Sequence, residues 1–227
     1  MATLGLIGSG RIGSTLARLA VDAGLDVVLS NSRAPQTLAA LVDELGPRAR
    51  AGTPTQAAAA GDWVVVTIPV GAIGTVPREP LAGKTVIDTG NYYAPRDGTI
   101  PELDARELTD SELLQRHLAE AHVVKAFNNI HYPHLKALPR PVDAVDRTTL
   151  PIAGDDADAK QQAAALLSRL GFDSVDMGTL SESWRSQLGT PAFCAPYTVT
   201  KDEQYWTQPA APASAAEIRA ALASARR

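Results

Sequence analysis

Three features of this sequence predict a doubly wound α/β fold. Short apolar runs alternate with helical patterns over most of its length, from Leu4-Gly5-Leu6-Ile7 to "FDSVDM" at 172–177. The first run ends in a glycine loop, "GSGRIG", that opens a helix. The runs are rich in Val, Ile and Leu, as parallel strands covered on both faces require. Together they imply a Rossmann-like, mostly parallel sheet of about eight strands. A small C-terminal helical addition follows it.

Taken in order, Leu4–Ile7 is a strand stopped by Gly8. A helix with Ile12, Leu16, Leu19, Ala20 and Ala23 at helical spacing ends at Gly24. Leu25 to Leu29 is the next strand. Pro35 suits the first turn of a helix with an apolar face of Leu38, Leu41, Val42 and Leu45, closed by Gly46. Thr53-Pro54 supplies an N-cap and first turn for a short helix that stops at Gly61. "DWVVVTIP" is a buried strand, followed by a short helix through Val70 to Val76, and "KTVID" is another strand. Residues 89–110 are expected to be a long loop and 111–119 a helix leading to the strand "HVVKAF". Residues 133–148 form a second irregular connection. The strand "TLPIAG", an alanine-rich helix from about Asp156 to Leu170 and the strand "FDSVDM" complete the alternation. Beyond Gly178 the pattern predicts a short helix near 181–188, an aromatic loop and a terminal helix from about Ser214. "AAPASAA" at 210–216 is expected to be a mobile linker. The expected domain division is 1–178, the Rossmann-like domain, and 179–227, the helical addition.

Composition narrows the function. A chain of 227 residues can bury a core without covalent staples. Its one cysteine, Cys194, allows no internal disulfide. Twenty-one basic against 25 acidic residues leave no positive field of the kind that holds nucleic acid. From Met1-Ala2-Thr3 no signal peptide is expected, and no apolar run approaches the roughly 20 residues needed to cross a bilayer. The expectation is a soluble, cytoplasmic protein whose partner is a small molecule, with no nucleic acid and no membrane.

Gly8-Ser9-Gly10-Arg11-Ile12-Gly13 is a GxGxxG motif between a strand and a helix, the context in which that motif binds a dinucleotide. Gly8 permits the tight turn, Gly10 lets a pyrophosphate approach the backbone, and Gly13 lets the helix pack close to the sheet. In NAD-binding versions a carboxylate about 20 residues further on holds the ribose 2′-OH. Here that place holds Ser30-Asn31-Ser32-Arg33. No acid stands there to repel a 2′-phosphate, while hydroxyls, the Asn31 amide and the Arg33 guanidinium can bind one. The expected cofactor is NADP(H).

The stretches "GLIGSGRIGSTLARLAVDAGLDVVLSNSR", "VVVTIPVGAI", "KTVIDTGNYYAPRDG", "VVKAFNNI", "PIAGDDADAK" and "SESWRSQLGTPAFCAPY" resemble the NADP oxidoreductase, coenzyme F-420-dependent family, in its bacterial NADPH-dependent reductase branch. The resemblance covers most of residues 3–197. It implies hydride transfer between NADP(H) and a deazaflavin, with coenzyme F-420 or a flavin as co-substrate, in a protein that is often a homodimer. Carried over by residue, it adds Ser9, Arg11 and Ile12 to the phosphate loop and gives Ser32 and Arg33 to the 2′-phosphate. It places Ile68, Pro69 and Val70 on the ribose and nicotinamide side, and Ala126, Phe127 and Asn128 near the nicotinamide.

No residue pattern marks a general acid. The candidates for catalysis are Tyr92, Asn128 and His131, with Tyr93 and Tyr132 as further aromatics. His131 and His134 are three apart with Pro133 between them and no third ligand evident, so no metal is expected. Lys125 is expected to snorkel or pair, and Cys194 to pack. Trp184 and Arg185 suit either an aromatic wall with an anion-binding arginine or core packing with a structural ion pair. The alternatives to a flavin-like acceptor are a small carbonyl, imine or quinone compound, or an NADP(H)-sensing protein without turnover. A β-hydroxyacid dehydrogenase would need a larger second domain than the roughly 50 residues left after the sheet.

Overall fold

A computed structural model describes residues 1–202 and 204–227. They form two compact units, Met1–Val123 and Val124–Arg227. Among the described residues there are eight strands and nine α-helical segments. Of the strand pairs within the two units, only one is antiparallel. This is the mostly parallel α/β arrangement expected.

The first unit begins with β1 (Thr3–Ile7), α1 (Arg11–Asp22), β2 (Asp26–Ser30), α2 (Ala39–Leu45), β3 (Ala49–Ala51), α3 (Pro54–Ala60), β4 (Trp63–Val66) and β5 (Thr85–Asp88). Its strands lie in the order β3-β2-β1-β4-β5 and every pair is parallel. The chain therefore winds outward from β1 in one direction and restarts at β4 in the other. The β1/β4 gap is the switch point at which open α/β sheets bind ligands. Leu4, Leu6, Val27, Leu29, Val64, Val65, Val86 and Ile87 fill the sheet core. Gly13, Leu16, Ala17 and Ala20 form the buried stripe of α1.

Two expectations change here. β3 was not foreseen: it is three residues, Ala-Arg-Ala, with Arg50 exposed, so it carries no apolar run. The 89–110 segment is not one loop but holds α4 (Ala94–Asp97) and α5 (Pro101–Asp104) before α6 (Asp110–His117). Each short helix has proline in its first turn, where the missing N–H has no helical acceptor to lose. The crossover from β4 to β5 consists of two 3₁₀ turns, Val70–Thr75 and Glu79–Leu81. α6 carries a capping box in which Thr109 and Glu112 each accept the other's backbone N–H, at 3.2 and 2.7 Å.

The strand β6 (His122–Lys125) crosses the boundary between the units. α7 (Tyr132–Ala137), β7 (Thr149–Gly154), α8 (Ala157–Arg169), β8 (Asp173–Asp176) and α9 (Ala215–Ser224) follow. In the second unit Val124 and Lys125 pair antiparallel with β7, and β7 pairs parallel with β8. α8 and α9 both lie against β7 and β8, burying Leu166, Leu167, Ile218 and Phe172. Arg147 is buried and fully engaged, with Asp173 at 2.7 Å and the carbonyls of Arg140 and Phe172 at 2.9 and 2.8 Å. A buried guanidinium without such partners would be strongly destabilising.

Three further expectations change in this unit. The 133–148 connection contains α7, again opened by a proline, Pro133. The 210–216 segment is no free linker: Ala213 is wholly buried, its carbonyl accepts from Thr149 N–H at 2.8 Å, and Ala210 bridges to Thr198. Of the two alternatives for Lys125, snorkelling falls away because none of it reaches solvent, while the residue does keep an interaction partner. No helix among the described residues is long and apolar enough to cross a membrane.

Candidate cofactor and active site

The three motif glycines are needed for three different reasons. Gly8 has φ +110°, and a Cβ there would lie 2.2 Å from the Thr67 carbonyl oxygen. A Cβ on Gly13 would lie 2.3 Å from the Gly8 carbonyl oxygen, so α1 sits directly on the loop that precedes it. A Cβ on Gly10 would meet nothing within 4 Å. Gly10 thus leaves open space above the loop, where a bulky anion can reach the backbone.

The start of α1 fits that anion. Among the described residues four α-helices have eight or more residues. Thr109, Asp156 and Ser214 cap α6, α8 and α9 with their side chains, whereas α1 has no side-chain cap and no acid in its first turn. Its partial positive charge is left for an external partner. Ser9 and Ile12 are half-buried on this loop and Arg11 is exposed.

The end of β2 sorts its four polar residues. Ser30 is buried and donates its hydroxyl to the Leu6 carbonyl at 2.9 Å. This corrects the expectation that it faces a ligand. The Asn31 amide is a turn-former: its Oδ1 accepts from Arg33 N–H at 2.9 Å and its Nδ2 donates to the Thr37 hydroxyl at 3.0 Å. Ser32 and Arg33 are exposed, and the Arg33 guanidinium makes no ion pair or hydrogen bond among the described residues.

At the end of β4, Ile68 is half-buried with its Cγ2 3.1 Å from the position of a Gly8 Cβ, Pro69 is exposed and Val70 is buried. Beyond β5, Asp88 organises the turn. Its Oδ1 accepts from Gly90 N–H at 2.8 Å and its Oδ2 from the Ser111 hydroxyl at 2.7 Å. Sequence reasoning missed this carboxylate; the signal was an acid at the carboxyl end of an apolar strand. The Tyr92 hydroxyl accepts from Ile100 N–H at 3.1 Å and lies 2.9 Å from both the Gly98 carbonyl and Asp104 Oδ1. Desolvation raises its pKa, the Ile100 contact opposes this, and the Asp104 carboxylate raises it further. Tyr93 is half-exposed.

In the second unit Ala126, Phe127 and Asn128 are all buried. Phe127 packs edge-on against Phe172, with ring centroids 6.5 Å apart, and has φ +59°, uncommon for an aromatic residue. Asn128 donates to the Ser186 carbonyl at 2.9 Å and to its hydroxyl at 3.2 Å. Asn129 donates to the Ala192 carbonyl and the Tyr197 hydroxyl at 2.8 and 2.7 Å. These pairs span 58 to 68 residues of sequence, and no local pattern announces them.

His131 precedes α7, and its ring lies edge-on to those of Tyr132, His134 and Tyr205. His134 Nε2 donates to the Gln208 carbonyl at 2.9 Å. Among the described residues no three His, Cys, Asp or Glu side chains form a metal-binding group. Arg185 pairs with Glu182 and lies over the Trp184 ring, 4.8 Å from its centroid, which favours the structural alternative for these residues. Cys194 is buried with φ +59°, and its N–H donates to the Asn129 carbonyl at 2.8 Å.

Residues 3–92 match the model of a family described as NADP oxidoreductase, coenzyme F420-dependent. An F420-dependent NADP reductase of Methanocaldococcus jannaschii is 30% identical over 141 residues, 60% of this chain and 61% of that protein. This chain therefore aligns with less than two thirds of that relative. The hypothetical protein SMa0349 of Sinorhizobium meliloti superposes with a TM-score of 0.74 at 32% identity, covering 85% of this chain and 93% of its own. A candidate F420-dependent NADP reductase of Arthrobacter sp. FB24 superposes with a TM-score of 0.66 at 26% identity, over 81% of this chain and 87% of its own.

Proposed function

We propose that this chain, whose residues 3–92 match the model of the NADP oxidoreductase, coenzyme F420-dependent family, transfers hydride between NADP(H) and a deazaflavin or flavin-like acceptor. The observation that carries the nucleotide half is the end of β2. It presents an exposed Ser32 and an uncommitted Arg33 guanidinium, with no carboxylate. A charge-assisted, bidentate arginine–phosphate contact favours a 2′-phosphate over a bare hydroxyl.

In this reading the chain's own groups act as follows. Backbone N–H groups at the uncapped start of α1 hold the pyrophosphate, and the space above Gly10 admits it. Ser9, Arg11 and Ile12 border that loop. Ser32 and Arg33 hold the 2′-phosphate, and Asn31 sets the turn that presents them. Ile68, Pro69 and Val70 flank the ribose and exclude water from it. When bound, NADPH supplies the hydride.

The acceptor half is supported by the chemistry that is absent from the obvious donor. Carbonyl reduction needs a proton donor for the developing alkoxide, whereas transfer to a flat ring needs stacking and exclusion of water. The Tyr92 hydroxyl is tied within its own segment and its pKa is raised, which suits the second requirement better. The test is NADPH oxidation with a panel of deazaflavin, flavin, quinone, carbonyl and imine acceptors. Turnover with a deazaflavin or flavin supports the reading. Turnover with carbonyls or imines alone would replace it with a small-molecule reductase. Tight NADPH binding with no turnover would make the protein a nucleotide sensor.

A further inference from the structure

The 3₁₀ crossover from β4 to β5 leaves a cavity of about 520 Å³ in the first unit, between Val70–Thr75 on one side and residues 97–100 and α6 on the other. That is the size of a small-molecule site. Ile73, Ile100 and Leu113 give it apolar walls, and Arg78, Arg116 and His117 form its cationic end. The same three side chains border a second cavity of about 360 Å³, so they stand as a partition between two open volumes.

On the 520 Å³ side the charges of this partition do not cancel; Glu79 and Glu120 line only the second cavity. Arg116 pairs with Glu102 at 2.9 Å. Asp97, the one carboxylate lining the cavity, is held by Arg96 at 2.8 Å and by Tyr93 N–H at 2.9 Å. Arg78 differs. Its Nε and Nη2 both reach His117 Nδ1, at 3.2 and 3.0 Å. Across the ring, His117 Nε2 lies 2.8 Å from the Val76 carbonyl. An arginine only donates and a carbonyl only accepts, so Nδ1 is the acceptor and Nε2 carries the proton. His117 is the neutral imidazole in this arrangement. It orients Arg78 without neutralising it, and three of the five guanidinium N–H groups, both on Nη1 and one on Nη2, have no partner among the described residues.

We propose that this cavity is a second ligand site, which takes a small organic monocarboxylate with an apolar body. The carboxylate meets the oriented Arg78 fork, and the body lies between Ile73, Ile100 and Leu113. A guanidinium with no ion-pair partner among the described residues matches one negative group, and the apolar walls match a hydrocarbon or aromatic ring better than an inorganic ion.

Titration of benzoate and hexanoate into the full chain, followed by chemical shifts of residues 70–78 and 113–117, tests this. Acetate supplies the charge without the body, and benzyl alcohol the body without the charge. The expected result is saturable binding of benzoate or hexanoate below about 10 mM, with acetate and benzyl alcohol both weaker. Arg78→Gln should weaken it at least about tenfold with the melting temperature unchanged, because Arg78 is exposed. Arg33→Ala should leave it intact. The proposal is overturned if neither carboxylate saturates, if acetate or benzyl alcohol binds as tightly, or if Arg78→Gln has no effect.

Discussion

The Cβ that Gly13 lacks would stand 2.3 Å from the carbonyl oxygen of Gly8. Contact at that distance is impossible without moving α1 off the loop. Overpacking of this kind costs about 1–3 kcal/mol. Gly13→Ala should therefore lower the melting temperature by several degrees, at roughly 2–4 °C per kcal/mol for a chain of this size. Gly10→Ala meets no protein atom within 4 Å. It should leave the melting temperature in place and raise the NADPH dissociation constant at least about tenfold, close to 1.4 kcal/mol. Paired thermal melts and nucleotide titrations read both. A Gly10 variant as destabilised as the Gly13 variant would contradict the open space above the loop.

Tyr92 is expected to act as a fastener of its own segment. Tyr92→Phe removes the acceptor of the Ile100 N–H and the group facing Gly98 and Asp104. Hydrogen exchange at the Ile100 amide should accelerate several-fold, in line with the roughly 1 kcal/mol of a typical hydrogen bond. Unchanged exchange there would show that the hydroxyl does not hold the segment.

Alkaline solution should unfold the second unit through its buried acids. Burial raises the pKa of the Cys194 thiol far above its ordinary value of 9.0. Burial likewise raises that of Tyr197 above 10.0, against the opposing Asn129 contact. A folded pKa above the unfolded one means the stabilisation is complete below the unfolded value and is lost as pH rises past it. Denaturant melts should therefore show stability falling above about pH 9. In Cys194→Ala, which has no thiol to titrate, the fall should begin later, near the unfolded tyrosine value. An identical profile in the variant would remove the thiol from this account.

Asn128 is the anchor of the 3₁₀ turn Leu180–Ser186. Asn128→Leu leaves the buried Ser186 carbonyl without this donor and should cost about 1–3 kcal/mol. Ser186→Ala keeps that carbonyl bond and should cost less. Denaturant midpoints compare the two, and an equal loss would show that the hydroxyl, not the carbonyl, carries the anchor.

The parts of this molecule legible in the sequence are those set by local chemistry. "GSGRIG" between an apolar run and a helical pattern locates the loop, because each glycine answers a constraint within that unit. β3 is illegible because an edge strand of Ala-Arg-Ala needs no apolar face. α4, α5 and α7 are illegible as helices because one or two turns opened by proline have the composition of a loop. Ser30 shows the limit at the site itself. Its hydroxyl resembles a ligand until the register of β2 turns it onto the Leu6 carbonyl. Asn128–Ser186 and Asn129–Tyr197 depend on how distant segments meet, and no spacing rule encodes that.

In the proposed reading the exposed end of β2 selects the 2′-phosphate, and Arg33→Ala probes that selection. Titration of NADPH and NADH into the wild-type chain and this variant gives four dissociation constants. NADPH should weaken at least about tenfold while NADH binds nearly as before, because the Arg33 side chain has no structural partner to lose. Equal weakening of both nucleotides, or no change in either, would contradict it.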